Sequence, residues 1–113
     1  MKKTKTLSPE LVDFAATMLK CVGHPIRLRI VELLETHTEL AVHQLQEELG
    51  LAQAVVSQHL TKMKALGLLR AQRRDGMVFY SVALAQLFKL LECIRSCDPA
   101  YRQGPLRVIR GAS

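Results

Sequence analysis

Gln53-Ala54-Val55-Val56-Ser57-Gln58-His59-Leu60-Thr61-Lys62-Met63-Lys64-Ala65-Leu66 decides how this chain is read. Val56, Leu60, Met63 and Leu66 stand at i, i+4, i+7 and i+10, the spacing of a helix lying on a core. Gly67 can close that helix. Upstream, Val42 to Leu49 is a shorter helix with Leu45 and Leu49 inward, and Gly50 can take the left-handed conformation that ends helices. Only Gly50-Leu51-Ala52 separates the two, a helix-turn-helix spacing. Downstream the apolar period changes from 3.6 to 2. Leu68–Arg74 and Met77–Val82 read as two strands joined by Asp75-Gly76, a dipeptide that favours a type I′ hairpin turn. A basic hairpin directly after a helix-turn-helix makes the unit a winged one.

The flanks fit around this unit. Ser8 can cap a first helix, Pro9 suits its first position, and Leu11, Phe14, Met18 and Val22 recur at helical spacing before Gly23. His24-Pro25 starts a second helix, with His24 as its cap, Ile26, Ile30, Leu33 and Leu34 inward, Arg27 and Arg29 outward, and an end near Thr36. A last helix is expected from Leu84 to Cys97, with Leu84, Leu87, Phe88, Leu91 and Ile94 on one face. It must stop before Pro99, whose ring disfavours helix at Asp98. The expected architecture is mainly α with a small β-hairpin wing, four helices, two strands and a fifth helix. Residues 1–7 are expected as a flexible start, 8–97 as one domain, and 98–113 as a loose basic tail.

The 113 residues allow one small domain, and an apolar fraction of 49% is enough for a core. No apolar run approaches the roughly 20 residues of a membrane span, and Lys2, Lys3 and Lys5 lead into Ser8-Pro9-Glu10 rather than an apolar signal. A cytoplasmic protein without a membrane partner is expected. The net charge of +6 is unevenly spread. Residues 31–52 carry Glu32, Glu35, Glu39, Glu47 and Glu48 with no Lys or Arg, whereas residues 53–80 carry Lys62, Lys64, Arg70, Arg73 and Arg74 against Asp75. The second stretch suits phosphate.

With Val56, Leu60 and Met63 inward, the outer surface of the 53–66 helix presents Gln53, Ala54, Ser57, Gln58, Thr61 and Lys62. Gln amides pair bidentately with adenine, Ser serves as donor or acceptor, and Ala54 offers a contact for the thymine methyl. Lys62, Lys64, Arg73 and Arg74 are assigned to phosphates, which position a protein without reading sequence. Any one polar residue here is explained by solvation alone, but a solvated helix has no need of a wing. Double-stranded DNA is therefore the expected partner. No nucleophile–base pattern, Gly-rich phosphate loop or carboxylate pair points to an enzyme. The rival readings are an architectural DNA-binding module that senses nothing and a protein-interaction domain using the acidic second and third helices.

Leu19-Lys20-Cys21-Val22-Gly23-His24-Pro25-Ile26-Arg27-Leu28-Arg29-Ile30, Leu49 through Leu60, Leu66-Gly67-Leu68-Leu69 and Arg73-Arg74-Asp75-Gly76-Met77-Val78-Phe79-Tyr80 together resemble the ArsR/SmtB family of small winged-helix transcriptional repressors. The resemblance covers Leu19 to Val82. It implies a homodimer built from the first and last helices, an inverted-repeat operator, and release when an inducer binds. Family members often place Ser where this chain has Ala52, which cannot cap the recognition helix. The family's thiolate site, typically Glu-Leu-Cys-Val-Cys-Asp-Leu, aligns with Glu39-Leu40-Ala41-Val42-His43-Gln44-Leu45, so both cysteines are missing. Its zinc site in the last helix is missing too, since Ala83-Leu84-Ala85-Gln86 replaces the Asp and His.

Cys93 and Cys97 lie four apart on the last helix, and Cys21 ends the first. If those helices meet in a dimer, the sulfurs suit arsenite, antimonite or a soft divalent metal such as cadmium. The alternatives are a redox or reactive-sulfur sensor pairing Cys21 with Cys93 or Cys97, and simple packing, since free Cys behaves as a small hydrophobe. Arg95 beside these thiols would favour thiolate and Glu92 would oppose it. His24 is read as a cap and His59 as a structural or DNA-facing residue. His37 and His43 flank a loop, and a structural role is preferred there over a weak metal site.

Overall fold

The computed structural model describes residues 5–100. Helix α1 spans Pro9–Val22. Ser8 Oγ accepts from the Leu11 N–H at 3.1 Å, so the expected cap is in place. Helix α2 spans Pro25–His37, and His24 Nδ1 accepts from the Ile26 N–H at 3.1 Å, satisfying an otherwise orphaned donor. Thr38 then turns the chain at φ 69°, ψ −52°, with Glu39 N–H bonded to His37 O at 2.7 Å. This is the γ-turn of positive φ, a strained choice for a β-branched residue.

The turn feeds strand β1, Leu40–Ala41, then helix α3, Val42–Leu49. Gln44 Oε1 reaches back to the Ala41 N–H at 2.8 Å and holds the start of α3. Gly50 adopts the left-handed conformation at φ 67°, and helix α4 follows as Gln53–Ala65. Its cap, Ala52, makes no side-chain hydrogen bond, as its chemistry requires. Strands β2, Leu69–Arg74, and β3, Met77–Val82, form the wing. Asp75 and Gly76 both have positive φ, 51° and 75°, as a type I′ turn demands. Helix α5, Gln86–Arg95, completes the order.

Two expectations need correction. The sheet is three-stranded, antiparallel, in the order β1-β3-β2, because Leu40 and Ala41 pair with Tyr80 and Phe79. A two-residue strand carries no readable alternation. The last helix is shorter than Leu84–Cys97: it starts at Gln86, where Ala85 provides no side-chain cap. At the far end the Cys97 N–H bonds to Ile94 O at 3.0 Å, and Ser96 Oγ donates to Cys93 O at 2.6 Å. Those bonds tighten the final turn and leave Cys97 outside α5.

Ile30, Leu34, Leu45, Val56, Leu60, Met63, Leu68 and Leu87 form the sealed core, drawn from α2, α3, α4, the start of the wing and α5. Helix α1 is covered only at its end. Val22 is buried, but Leu11 and Phe14, at 48% and 44% exposure, face outward. Leu66, expected on the core side of its helix, is 40% exposed, and Ile94 is 43% exposed. Arg95 ties α5 to α2 through Glu35 at 2.6 Å and also holds Glu92. It is therefore occupied by carboxylates, not directed at the thiols. Most of the expected flexible start and of the tail, residues 1–4 and 101–113, lies outside the described residues.

Candidate nucleic-acid interface

Because Val56, Leu60 and Met63 are completely sealed from solvent, α4 has only one orientation on the core. Burying each such side chain contributes about 1.5–3 kcal/mol. That seam turns Gln53, Ala54, Gln58, Thr61, Lys62 and Lys64 to solvent and leaves Ser57 half-buried. Ala54, Ser57, Gln58, Thr61 and Lys62 line a single open depression of about 390 Å³. Five of the residues expected to meet DNA are thus gathered on one surface. Gln53 sits apart, with His43, Met77 and Val78, in the cleft between the start of α4 and the wing. No local signal pointed to His43 in this place, because its neighbours there come from segments far along the chain.

The wing cations divide. Arg73 is exposed and makes no ion pair among the described residues. Arg74 is held by both carboxylate oxygens of Glu39 and stacks on Phe79, its guanidinium carbon 4.4 Å from the ring centroid. The Glu39 hydrogen bond raises the Arg74 pKa above its ordinary value. Arg74 therefore anchors the wing to the start of β1, and a phosphate would have to compete with Glu39 for it.

Behind α4 lies a contact that helical spacing does not foreshadow. Arg27, expected to point outward, is half-buried, and its Nε donates to His59 Nδ1 at 3.0 Å. Its Nη1 donates to Cys21 O at 3.0 Å and lies 3.5 Å from Cys21 Sγ. His59 also packs against His24, ring centroids 4.7 Å apart. Burial lowers the His59 pKa, and the nearby His24, Arg27 and Lys62 lower it further. A neutral ring accepting at Nδ1 carries its proton on Nε2. One guanidinium thus links the end of α1, α2 and the recognition helix.

The cysteines do not assemble within one protomer. Cys21 is buried, Cys93 and Cys97 are exposed, and Cys97 Sγ lies 3.6 Å from Cys93 O. Among the described residues no three His, Cys, Asp or Glu side chains are grouped to hold a metal ion, and His37 and His43 share in none.

The profile of the family described as bacterial regulatory protein, arsR family, matches residues 24–71, from the α2 cap into the wing. The transcriptional repressor PagR of Bacillus anthracis is 43% identical over 68 residues, 59% of this chain and 67% of PagR. Its crystal structure superimposes with a TM-score of 0.72 at 32% identity, covering 77% of this chain and 99% of that one. The chain belongs to the ArsR family. The nodulation protein NolR of Rhizobium meliloti is 34% identical over 82 residues, 73% of this chain and 66% of NolR. The repressor SmtB of Mycobacterium tuberculosis is 35% identical over 74 residues, 66% of this chain and 54% of SmtB. The chain thus spans about two-thirds of the length of the first curated relatives it matches. As an ArsR-family member it is a DNA-binding transcriptional repressor with the winged helix-turn-helix fold, not an enzyme. No helix among the described residues is long and apolar enough to cross a membrane.

Proposed function

We propose that this protein acts as a homodimer that reads an inverted-repeat operator with α4, steadies itself on phosphates through Lys62, Lys64 and the wing, and lets go when an inducer binds. One observation carries the reading: Gln53, Ala54, Gln58, Thr61 and Lys62 stand in solvent on a helix whose other side, Val56, Leu60 and Met63, is wholly sealed. The dimer is supported by the unpartnered apolar residues Leu11, Val12, Phe14 and Leu19 of α1 and Ile94 of α5. Burying such side chains against a second copy is the commonest closed solution for soluble oligomers. The test is fluorescence anisotropy of the full chain on an inverted-repeat duplex against a scrambled one, repeated at several salt concentrations. A repressor gives a specificity ratio of at least about 10³. A ratio near one, with a steep salt slope, would establish the architectural alternative.

The inducer acts at Cys93, near the end of α5, and Cys97, in the turn just beyond it, both exposed thiols. Their chemistry suits arsenite, antimonite or a soft divalent metal. A buried Cys21 held beside Arg27 is less available for the redox pairing. Cys93→Ser and Cys97→Ser are each expected to keep operator affinity and abolish release by arsenite, antimonite or cadmium. Release that survives both changes refutes thiol sensing, and release by polysulfide alone transfers the role to sulfur chemistry.

A further inference from the structure

Burial of an apolar seam decides which side of a helix faces the core, but it has no direction and leaves the fine adjustment of roll open. Reading base edges needs that adjustment, because contacting groups must be held within roughly 0.5 Å and 10–20°. Among the described residues, a single side-chain hydrogen bond joins α4 to another element, from Arg27 Nε to His59 Nδ1 at 3.0 Å, and both partners are half-buried. Arg27 is itself seated. Its Nη1 donates to Cys21 O at 3.0 Å, a carbonyl in the last turn of α1 that would look four residues on to Pro25, which has no N–H. The guanidinium thus answers an otherwise orphaned acceptor, and its planar fork directs Nε at α4. Gln58 adjoins His59, Lys62 follows one turn later, and both line the depression expected to meet DNA. A shift at His59 therefore moves that surface.

We propose that Arg27 is a positioning residue for DNA binding: seated on the end of α1, it sets the roll of α4 through His59, and a second proton on the His59 ring undoes that setting. The two states exclude each other. A neutral ring offers Nδ1 as an acceptor, whereas the doubly protonated ring has none and turns an N–H towards the guanidinium. Burial keeps this proton off until the pH is below the ordinary value near 6.5, and the His24 ring, Arg27 and Lys62, which face His59, act in the same sense. The consequence for DNA rests on the proposed reading of an operator by α4; the setting of the helix does not.

The test has two arms, both on the full chain. Without DNA, the 15N shifts of the His59 ring report its tautomer and titration. The protein is expected to hold the Nε2–H tautomer and to titrate below about 6.5. Arg27→Lys keeps the charge but has one nitrogen for two acceptors, so it should lose that tautomer preference and move amide resonances along α4. Mixed tautomers in the unaltered protein, or a ring and an α4 indifferent to Arg27→Lys, overturn the proposal. With DNA, anisotropy gives the ratio of operator to scrambled affinity, which partial unfolding leaves alone because it weakens both duplexes alike. Arg27→Lys and His59→Ala should each lower the ratio about tenfold at neutral pH, the size of one hydrogen bond to a charged group. His59→Asn, whose amide oxygen can take the place of Nδ1, should recover most of that loss. In the unaltered protein the ratio should also fall as the pH drops from about 7 to 5, and in His59→Asn it should stay level. Proportional losses on both duplexes make Arg27 structural only, and a pH slope that survives His59→Asn refutes the role of the proton. A ratio near one in the unaltered protein refutes the proposed function, and the setting of α4 then stands or falls by the ring spectra.

Discussion

The edge made by α3, α4 and the wing and the end made by α1 and α5 are both built from amphipathic segments, yet only the first buries its apolar stripe within the chain. Val56, Leu60 and Met63 are sealed to zero exposure within the protomer, whereas Leu11 and Phe14 of α1 remain 48% and 44% exposed. An apolar stripe at helical spacing states that a helix has a buried side; it does not state which molecule covers it. The sharpest way to break the contrast is to cut both stripes. Leu60→Ala should cost about 2–5 kcal/mol in urea unfolding, as a cavity opens in a packed core. Phe14→Ser should change the stability of the single chain by no more than about 0.5 kcal/mol but convert the proposed dimer to monomer in sedimentation velocity. A Phe14→Ser protein that stays dimeric would show that α1 is not the self-association surface.

Within the proposed DNA-binding edge, Gln58 and Arg73 are expected to differ in kind. Gln58→Ala should lose about 1–3 kcal/mol on the operator and little on scrambled DNA, because an amide reads a base edge. Arg73→Ala should weaken all duplexes alike and reduce the salt slope by about one. Arg74 belongs to a third class: since Glu39 holds it, Glu39→Gln should free it for phosphate and strengthen non-specific binding, measured by anisotropy on scrambled DNA. Loss of binding in Glu39→Gln would mean that the pair's service is to aim the wing.

These differences also mark what the sequence could tell. The α4 seam, the Asp75-Gly76 turn and both proline-led helix starts rest on neighbours a few residues apart, so spacing and turn chemistry suffice to place them. Arg27 could not be placed that way, because its acceptor, His59, lies in another helix and its charge suggested an outward position. The Arg74–Glu39 pair likewise joins distant segments through strand β1, too short to signal itself. Cys93 and Cys97 are spaced for one helical face, but the tightened last turn leaves only Cys93 inside α5. Local rules fix elements; pairings between elements follow only from the assembled core.

The Arg27–His59 contact offers a smaller effect with a definite sign. His59 titrates below its ordinary value in the folded protein, so the unfolded chain takes up the proton first as the pH falls. Stability from this site is intact above the unfolded value near 6.5 and declines as the pH drops below it, levelling off once the folded His59 is also protonated. Arg27 and Lys62, and the His24 ring, which face His59, all oppose its protonation. His59→Gln keeps an acceptor for Arg27 but no titration, and should flatten the urea-midpoint profile between about pH 7 and 5. An unchanged profile would assign that slope to other groups.

The smallest expected effect concerns the turn that sets Glu39 against the wing. Thr38 sits at φ 69°, where a β-branched residue is strained by about 1–3 kcal/mol, and glycine would relieve that strain at an entropic cost of about 0.5–1 kcal/mol. Thr38→Gly should therefore raise stability by between about 0 and 2.5 kcal/mol in the same urea titration. The two regions give this substitution its use. If the strained turn only connects α2 to β1, the Glu39–Arg74 coupling energy from a double-mutant cycle is the same with and without Thr38→Gly. If the turn is what aims Glu39, the coupling weakens in the glycine background while the core stays intact. The strain would then be traced to the positioning of the wing, because the sealed seam of α4 is indifferent to where Glu39 points.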